Sequence, residues 1–185
     1  RNYLKRFVQI GTSELYGSVT QPSKEDDPIQ PTSPYAASKA AFDLHLISIH
    51  KVLKFPMNII RPSNAYCPGQ LLHRVIPKAV VCGLLGKKLP LQGGGKAEKS
   101  YIHARDLARA IYLVSEKAPL GAIYNVGPQK PVSIRHVVET VAKVMGMSFE
   151  QLCTVTEARL GQDSRYWLDS SAVKKDTGWE PQITL

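Results

Sequence analysis

Tyr35 and Lys39 stand four residues apart in the stretch Tyr35-Ala36-Ala37-Ser38-Lys39. On a helix that spacing puts both side chains on one face, one turn apart. An ammonium beside a phenol favours the phenolate, so such a tyrosine can act as a base near neutral pH. Upstream lies Gly11-Thr12-Ser13-Glu14, at the end of an apolar run. A hydroxyl and a carboxylate placed there could complete a site that moves protons and a hydride. Tyr-x-x-x-Lys arises often by chance on ordinary helices. The two motifs together, each at an element boundary, point to an active site.

The elements around these residues follow from the pattern. Arg6-Phe7-Val8-Gln9-Ile10 reads as a buried parallel strand ending at Gly11. The polar stretch 17–33, rich in Pro, Ser, Asp and Gln, reads as a loop over the site. Ser33-Pro34 is a helix start, and the helix is expected to run from about Tyr35 to Leu53. Phe42, Leu46, Ile49 and Leu53 recur at helical spacing and predict its apolar face. Met57 to Ile60 reads as the next strand, followed by Arg61-Pro62-Ser63-Asn64. Strand, helix, strand is a βαβ unit, so the sheet is expected to be parallel. Ligands in such folds sit beyond the carboxyl ends of the strands, where both Thr12-Ser13-Glu14 and Pro62-Ser63-Asn64 fall.

Further helices are expected over residues 75–85, 105–115, 133–145 and 170–177, with a strand over 122–127. Asp106, in the first turn of its helix, meets that helix's positive end. Residues 87–99, with Gly93-Gly94-Gly95, read as a flexible polar loop. The triplet lacks the Gly-Lys-Ser/Thr ending of a phosphate loop.

The chain of 185 residues is long enough for one good core, or for one and a half domains. No apolar run approaches the roughly 20 residues of a membrane helix, and no apolar signal segment follows the first residues, so no membrane partner is expected. Cys67, Cys82 and Cys153 are odd in number and far apart. They read as reduced thiols of a cytoplasmic protein. His45 and His50 miss the i, i+4 pairing of zinc ligands, and no metal site is expected. The formal net charge is +9, but the Lys and Arg residues are scattered, so no nucleic acid partner is expected. The charge suits an anionic substrate such as a nucleotide diphosphate, or balances acidic sequence outside this chain.

With these residues in hand, the chain resembles the extended short-chain dehydrogenase/reductases, and within them the nucleotide-sugar 4,6-dehydratases. The matching segments are Thr12 to Gly17, Ser33 to Lys39, Arg61 to Tyr66, Tyr124 to Gly127 and Gly161 to Tyr166, in family order over nearly the whole chain. The resemblance implies an α/β fold: the C-terminal portion of a Rossmann-type doubly wound parallel sheet plus a smaller α/β substrate-binding domain. It assigns residues 1–66 and 100–126 to the NAD-binding part, and 67–99 and 127–185 to the nucleotide-sugar part. It also implies a preceding strand, Gly-rich turn and helix for the cofactor pyrophosphate, which this sequence does not contain.

The mechanism implied is oxidation of the sugar at C4 by bound NAD, elimination of water across C5–C6, and hydride return to C6. The product is a 4-keto-6-deoxy sugar. In that scheme Tyr35 takes the hydroxyl proton, Lys39 supports Tyr35 and holds the nicotinamide ribose, Thr12 binds the C4 oxygen, and Glu14 removes the C5 proton. Ser13 stands where the dTDP-glucose dehydratases have an aspartate that protonates the departing hydroxyl. GDP-mannose dehydratases and some UDP-N-acetylglucosamine dehydratases also have Thr-Ser-Glu, and Glu14 would then serve both steps. The segment Arg159 to Tyr166 instead resembles the dTDP-glucose branch, so the sugar stays open.

By the same resemblance Pro62 and Ser63 approach the nicotinamide and Asn64 reaches the nucleotide-diphosphate hexose substrate. Arg74, Gln92, Lys99 and Arg159 align with substrate nucleotide and phosphate contacts. Cys67 stands where glycine is usual and reads as a small buried residue. Trp167 and Trp179 read as packing residues. A homodimer is the family-level expectation. A 4-epimerase needs no carboxylate at Glu14, and a UDP-glucuronate decarboxylase usually carries acidic and glycine residues between its Tyr and Lys. A catalytically silent NAD-binding regulator need not keep Thr12, Glu14, Tyr35 and Lys39 together.

Overall fold

The computed structural model describes residues 3–158 and 163–185. A parallel sheet of β1 (Phe7–Ile10), β2 (Met57–Pro62) and β7 (Ile123–Val126), in that order, carries the site. The helix α1 (Pro34–Leu53) connects β1 to β2, as the βαβ reading requires. β2 is central and buried from Met57 to Arg61, which is why its apolar run is continuous rather than alternating. Asn58 is tolerated inside it because its amide donates to Pro119 O and Ala122 O and accepts from Arg6. β3 (Asn64–Tyr66) then pairs in parallel with β6 (Tyr101–His103), which leads into α3 (Ala104–Lys117). Ile60, Val114, Tyr124, Val126 and Trp179 pack together at the heart of this part of the molecule.

A second apolar cluster lies among α2 (Val75–Leu84), β4 (Leu89–Gln92), α4 (Ile134–Val144), α5 (Phe149–Leu152) and β9 (Cys153–Thr156). β4 pairs in parallel with β9. A small sheet orders β10 (Arg165–Tyr166), β5 (Glu98–Lys99) and β8 (Val132–Ser133). A last helix, α6 (Ser171–Thr177), ends at Gly178 with φ 76°, and Trp179 behind it is buried while Trp167 is half-buried. Among the described residues no helix is long and apolar enough to cross a membrane, and no group of His, Cys, Asp or Glu could hold a metal.

Two expectations need correction. Residues 87–99 are not one polar loop: they hold β4, a 3₁₀ turn over Gly93–Gly95, and β5. Leu89 and Leu91 alternate into the second core with Pro90 and Gln92 outside, a strand period that the neighbouring glycines mask. The glycine triplet is a turn, all three residues having φ between 57° and 68°.

The buried face of α1 is also not the one expected. Ser33 Oγ accepts from Ala36 N at 3.1 Å and starts the helix as read, but its buried residues are Ala36, Ala40, Asp43 and Leu46. Phe42 and Leu53 are 42% and 68% exposed. What turns the helix is a buried ion pair. Arg61, at the end of β2, donates from Nε to Asp43 Oδ2 at 3.0 Å, and both side chains are almost wholly buried. The same guanidinium donates to Tyr16 Oη at 2.7 Å and Glu25 O at 3.0 Å. Tyr16 Oη donates onward to Asn125 Oδ1 at 2.9 Å, and the Glu25 carboxylate accepts from Asn125 N at 2.7 Å. Burial pushes the Asp43 carboxyl up, opposed by Arg61 and by the charge of Lys39.

Gly11 is small because of this pair. A Cβ there would lie 3.2 Å from both Asp43 carboxylate oxygens and 3.4 Å from Arg61 Cγ. Asp43 cannot retreat without leaving Arg61 unpaired. Gly11→Ala is expected to lower stability by about 1–3 kcal/mol in urea unfolding; unchanged stability would mean that the ion pair has room to shift.

Asp106 fastens the other end of the molecule. Its carboxylate accepts from Gln182 N at 2.9 Å, Ile183 N at 2.8 Å and Arg109 at 3.1 Å. Burial works to raise its pKa, but the two backbone N–H groups and Arg109 outweigh it and hold the carboxyl below its ordinary value. A native pKa below the unfolded value of about 3.9 gives stability that is complete above that value and lost as pH falls through it towards the native one. Asp106→Asn is expected to cost about 1–3 kcal/mol near neutral pH and to weaken the acid dependence below about pH 4. Urea unfolding across that range checks both effects.

Candidate active-site cleft

β1 stops at Gly11, whose N–H donates to Ile60 O at 2.7 Å. Thr12 follows in extended conformation and caps a 3₁₀ turn over Ser13–Tyr16, its Oγ1 accepting from Glu14 N at 3.2 Å. Leu15 and Tyr16 are buried and pin the turn, which leaves Glu14 half-exposed on its outer side. Gly17 closes the turn at φ 70°, where a Cβ would come within 2.6 Å of Gln30 O, so only glycine fits.

β2 ends in the same neighbourhood. Ser63 N donates to Val126 O at 2.9 Å and Asn64 N to Ser100 O at 3.0 Å, which fixes both residues at the strand tip. Ser63 Oγ is buried and has no hydrogen-bond partner among the described residues. It crowds Gly127, where a Cβ would lie 2.9 Å from it.

These tips open on a cleft of about 710 Å³. Thr12 and Glu14 line it from the first tip, Tyr35 from α1, and Pro62, Ser63 and Asn64 from the second tip. Arg74, Lys99 and Tyr101 line it from the segments beyond β3. Eight of the residues singled out in the sequence therefore share one cavity. Ser13 does not: it is 4% exposed and absent from the lining. Lys39 is not part of the lining but adjoins it, its Nζ donating to the O of Ile10, a lining residue, at 2.7 Å, which ties α1 to the tip of β1. Gln92 is exposed at the end of β4, away from the cleft lining. Arg159 falls outside the described residues, as do Gly161 and Gln162.

Cys67 corrects an expectation. It is exposed and lines the cleft, because Pro68 and Gly69 carry the chain off β3 just beyond it. None of the three cysteines forms a disulfide.

Two tyrosines are strongly raised by their surroundings. Burial pushes the Tyr101 phenol up to about 12. Burial, a hydrogen bond to Asp163 and the negative charge of Glu14 push Tyr166 higher still. Neither can serve as a base near neutral pH. Tyr35 reaches the cleft 54% exposed. The Lys99 ammonium lies 4.8 Å above the Tyr166 ring. Tyr101 and Tyr166 were not singled out from the sequence. The alternation of Tyr101-Ile102-His103, with only Ile102 buried, is the signal that could have found the first.

Known proteins share this sequence pattern and fold. A family model described as GDP-mannose 4,6 dehydratase matches residues 1–185. A dTDP-glucose 4,6-dehydratase of Streptomyces griseus is 33% identical over 186 aligned positions, covering 100% of this chain and 56% of that protein. The crystal structure of DesIV, a dTDP-glucose 4,6-dehydratase from Streptomyces venezuelae with NAD and TYD bound, superposes with a TM-score of 0.92 at 33% identity, over 97% of this chain and 56% of that one. A UDP-glucose 4-epimerase from Thermus thermophilus in complex with NAD gives 0.87 at 28% identity, over 98% and 60%. The chain thus spans a little over half the length of these relatives. Two parallel strand tips, a Tyr-x-x-x-Lys helix packed across them and a match along its full length make this chain a member of the GDP-mannose 4,6 dehydratase family within the extended short-chain dehydrogenase/reductases.

Proposed function

We propose that the intact protein is an NAD-dependent nucleotide-sugar 4,6-dehydratase. One observation carries the reading: Thr12, Glu14 and Tyr35, from two separate elements, face one cleft beyond the carboxyl ends of parallel strands. The residues present fit a nicotinamide. Pro62 gives an apolar surface, and the Ser63 hydroxyl is a buried polar group still without a partner. With Tyr35 and Lys39 they would hold the cofactor end nearest the sugar. When bound, NAD would supply the hydride acceptor at C4 and the hydride donor at C6, and C5 would take back a proton from water as the hydride reaches C6.

The chain's own side chains handle the protons. Tyr35 takes the proton of the C4 hydroxyl while Thr12 holds the C4 oxygen. The ketone so formed acidifies the C5 proton, and Glu14 removes it. Hydroxide cannot leave C6 unaided, so an acid must protonate it. Ser13 is buried and absent from the cleft lining, which favours Glu14 returning its proton to that oxygen, directly or through water. Asn64 would orient the sugar. Arg74 and Lys99, from the far wall, would face the diphosphate, with Arg159 as a further contact carried by the resemblance alone. Gln92 is left out of this set because it lies away from the cleft.

A 4-epimerase would share Tyr35 and the C4 oxidation but would have no use for Glu14 in the cleft. The intact protein, incubated with NAD and a panel of nucleotide hexoses, is expected to form a 4-keto-6-deoxy sugar from at least one of them. Tyr35→Phe should reduce turnover about 10²- to 10⁴-fold with the fold retained. Glu14→Gln should still oxidise C4 and stall before elimination. A C4-epimer as product, or a Glu14→Gln variant dehydrating at the parental rate, would overturn the reading.

A further inference from the structure

The stretch from Ser18 to Thr32 links the two halves of the proposed constellation. It leaves the turn that carries Glu14 and returns at the cap of the helix that carries Tyr35. Both of its ends donate to a single carboxylate. Ser18 Oγ reaches Asp163 Oδ1 at 2.8 Å, and Thr32 Oγ1 reaches Asp163 Oδ2 at 2.5 Å. Tyr166 Oη donates to the same Oδ2 at 2.6 Å. Ser18 Oγ also accepts from Ser164 N at 2.9 Å, and Val19 N donates to Arg165 O at 3.1 Å. Further along, Ser23 N donates to Trp167 O at 2.9 Å.

We propose that Asp163 is a positioning residue: its carboxylate clamps the two ends of this loop together and so fixes the Glu14 turn relative to the Tyr35 helix. Three hydroxyl donors on one half-exposed carboxylate exceed what solvation requires, since water would satisfy an aspartate there. The donors come from 145, 131 and 3 residues away in sequence, so the carboxylate gathers separate segments. Burial tends to raise the Asp163 pKa, but the hydrogen bonds from Thr32, Tyr166 and Ser18, with the charge of Lys99, hold it below the ordinary value. Asp163 is therefore an anion at neutral pH and accepts from all three. Tyr166, held by the same oxygen, supports the Lys99 ammonium over its ring. Ser18 and Thr32 lie within one turn's length of Glu14 and Tyr35, so slack at the clamp is passed to the reacting groups. A misplacement of about 1 Å can cost roughly 10²-fold in rate.

The catalytic half of this inference rests on the dehydratase reading; the clamp itself does not. The test uses the intact protein with Asp163→Ala and Asp163→Asn. Amide hydrogen exchange should rise at Val19 and Ser23 in Asp163→Ala, with β1, β2 and β7 unchanged. Turnover of the nucleotide hexose should fall roughly 10- to 100-fold, with KM moving much less. Asp163→Asn should recover part of both, because its amide still offers an acceptor to Ser18 and the other two hydroxyls can rotate to accept. Unchanged exchange in Asp163→Ala would overturn the clamp. Raised exchange with parental turnover would overturn the positioning role. Because exchange is independent of activity, failure of the dehydratase reading would show instead as an inactive parent whose exchange still responds to Asp163.

Discussion

The Arg61 guanidinium, buried at the end of β2, is the point on which the arrangement of this molecule turns. It pairs with Asp43 on α1, holds Tyr16 at the end of the Glu14 turn, and through Tyr16 reaches Asn125 on β7. Apolar burial alone would bring α1 against the sheet but would leave its rotation loosely set. The ion pair sets it. Tyr35, Lys39 and Asp43 recur every four residues and share a face of the helix, so turning Asp43 to the strand tips turns the other two the same way. Lys39 then meets the last carbonyl of β1, and Tyr35, two turns before Asp43, comes out at the cleft. Taking both charges out of water is costly, and the return is a fixed geometry more than added stability.

The same logic explains how a carboxylate stands free beside buried tyrosines. Leu15 and Tyr16 go inward and are held, one by packing and one by Arg61, so Glu14 is left on the outside of a rigid turn. Thr12 caps that turn and so presents its hydroxyl at the same edge. Burial raises the phenols of Tyr101 and Tyr166, with Asp163 and Glu14 adding to the rise at Tyr166, and Lys99 sits over the Tyr166 ring. Tyr35 reaches the cleft with about half of its surface exposed.

Much of this was legible in the sequence. The parallel βαβ unit, the Ser33 cap and the convergence of two strand tips follow from period, capping residues and the rule for ligand sites in open sheets. Local signals failed where the partner is distant. The expected apolar face through Phe42 and Leu46 left Asp43 out of account, because its partner Arg61 lies on the next strand. β4 and β5 were hidden by Pro90 and the glycine triplet, since the strands that complete them come from residues 153–156, 132–133 and 165–166. Cys67 read as buried by analogy with a glycine position, yet the turn at Pro68 exposes it. Asp163 lies in the matching segment Gly161 to Tyr166, but its role is not visible there, because two of its three donors come from Ser18 and Thr32.

The most direct measurement is a double-mutant cycle on Asp43 and Arg61 in the intact protein, combining Asp43→Asn with Arg61→Met and reading each variant by urea unfolding. If one buried ion pair holds α1 against the strand tips, the two substitutions are coupled by more than about 1 kcal/mol. Effects that add to within about 0.5 kcal/mol would contradict the account.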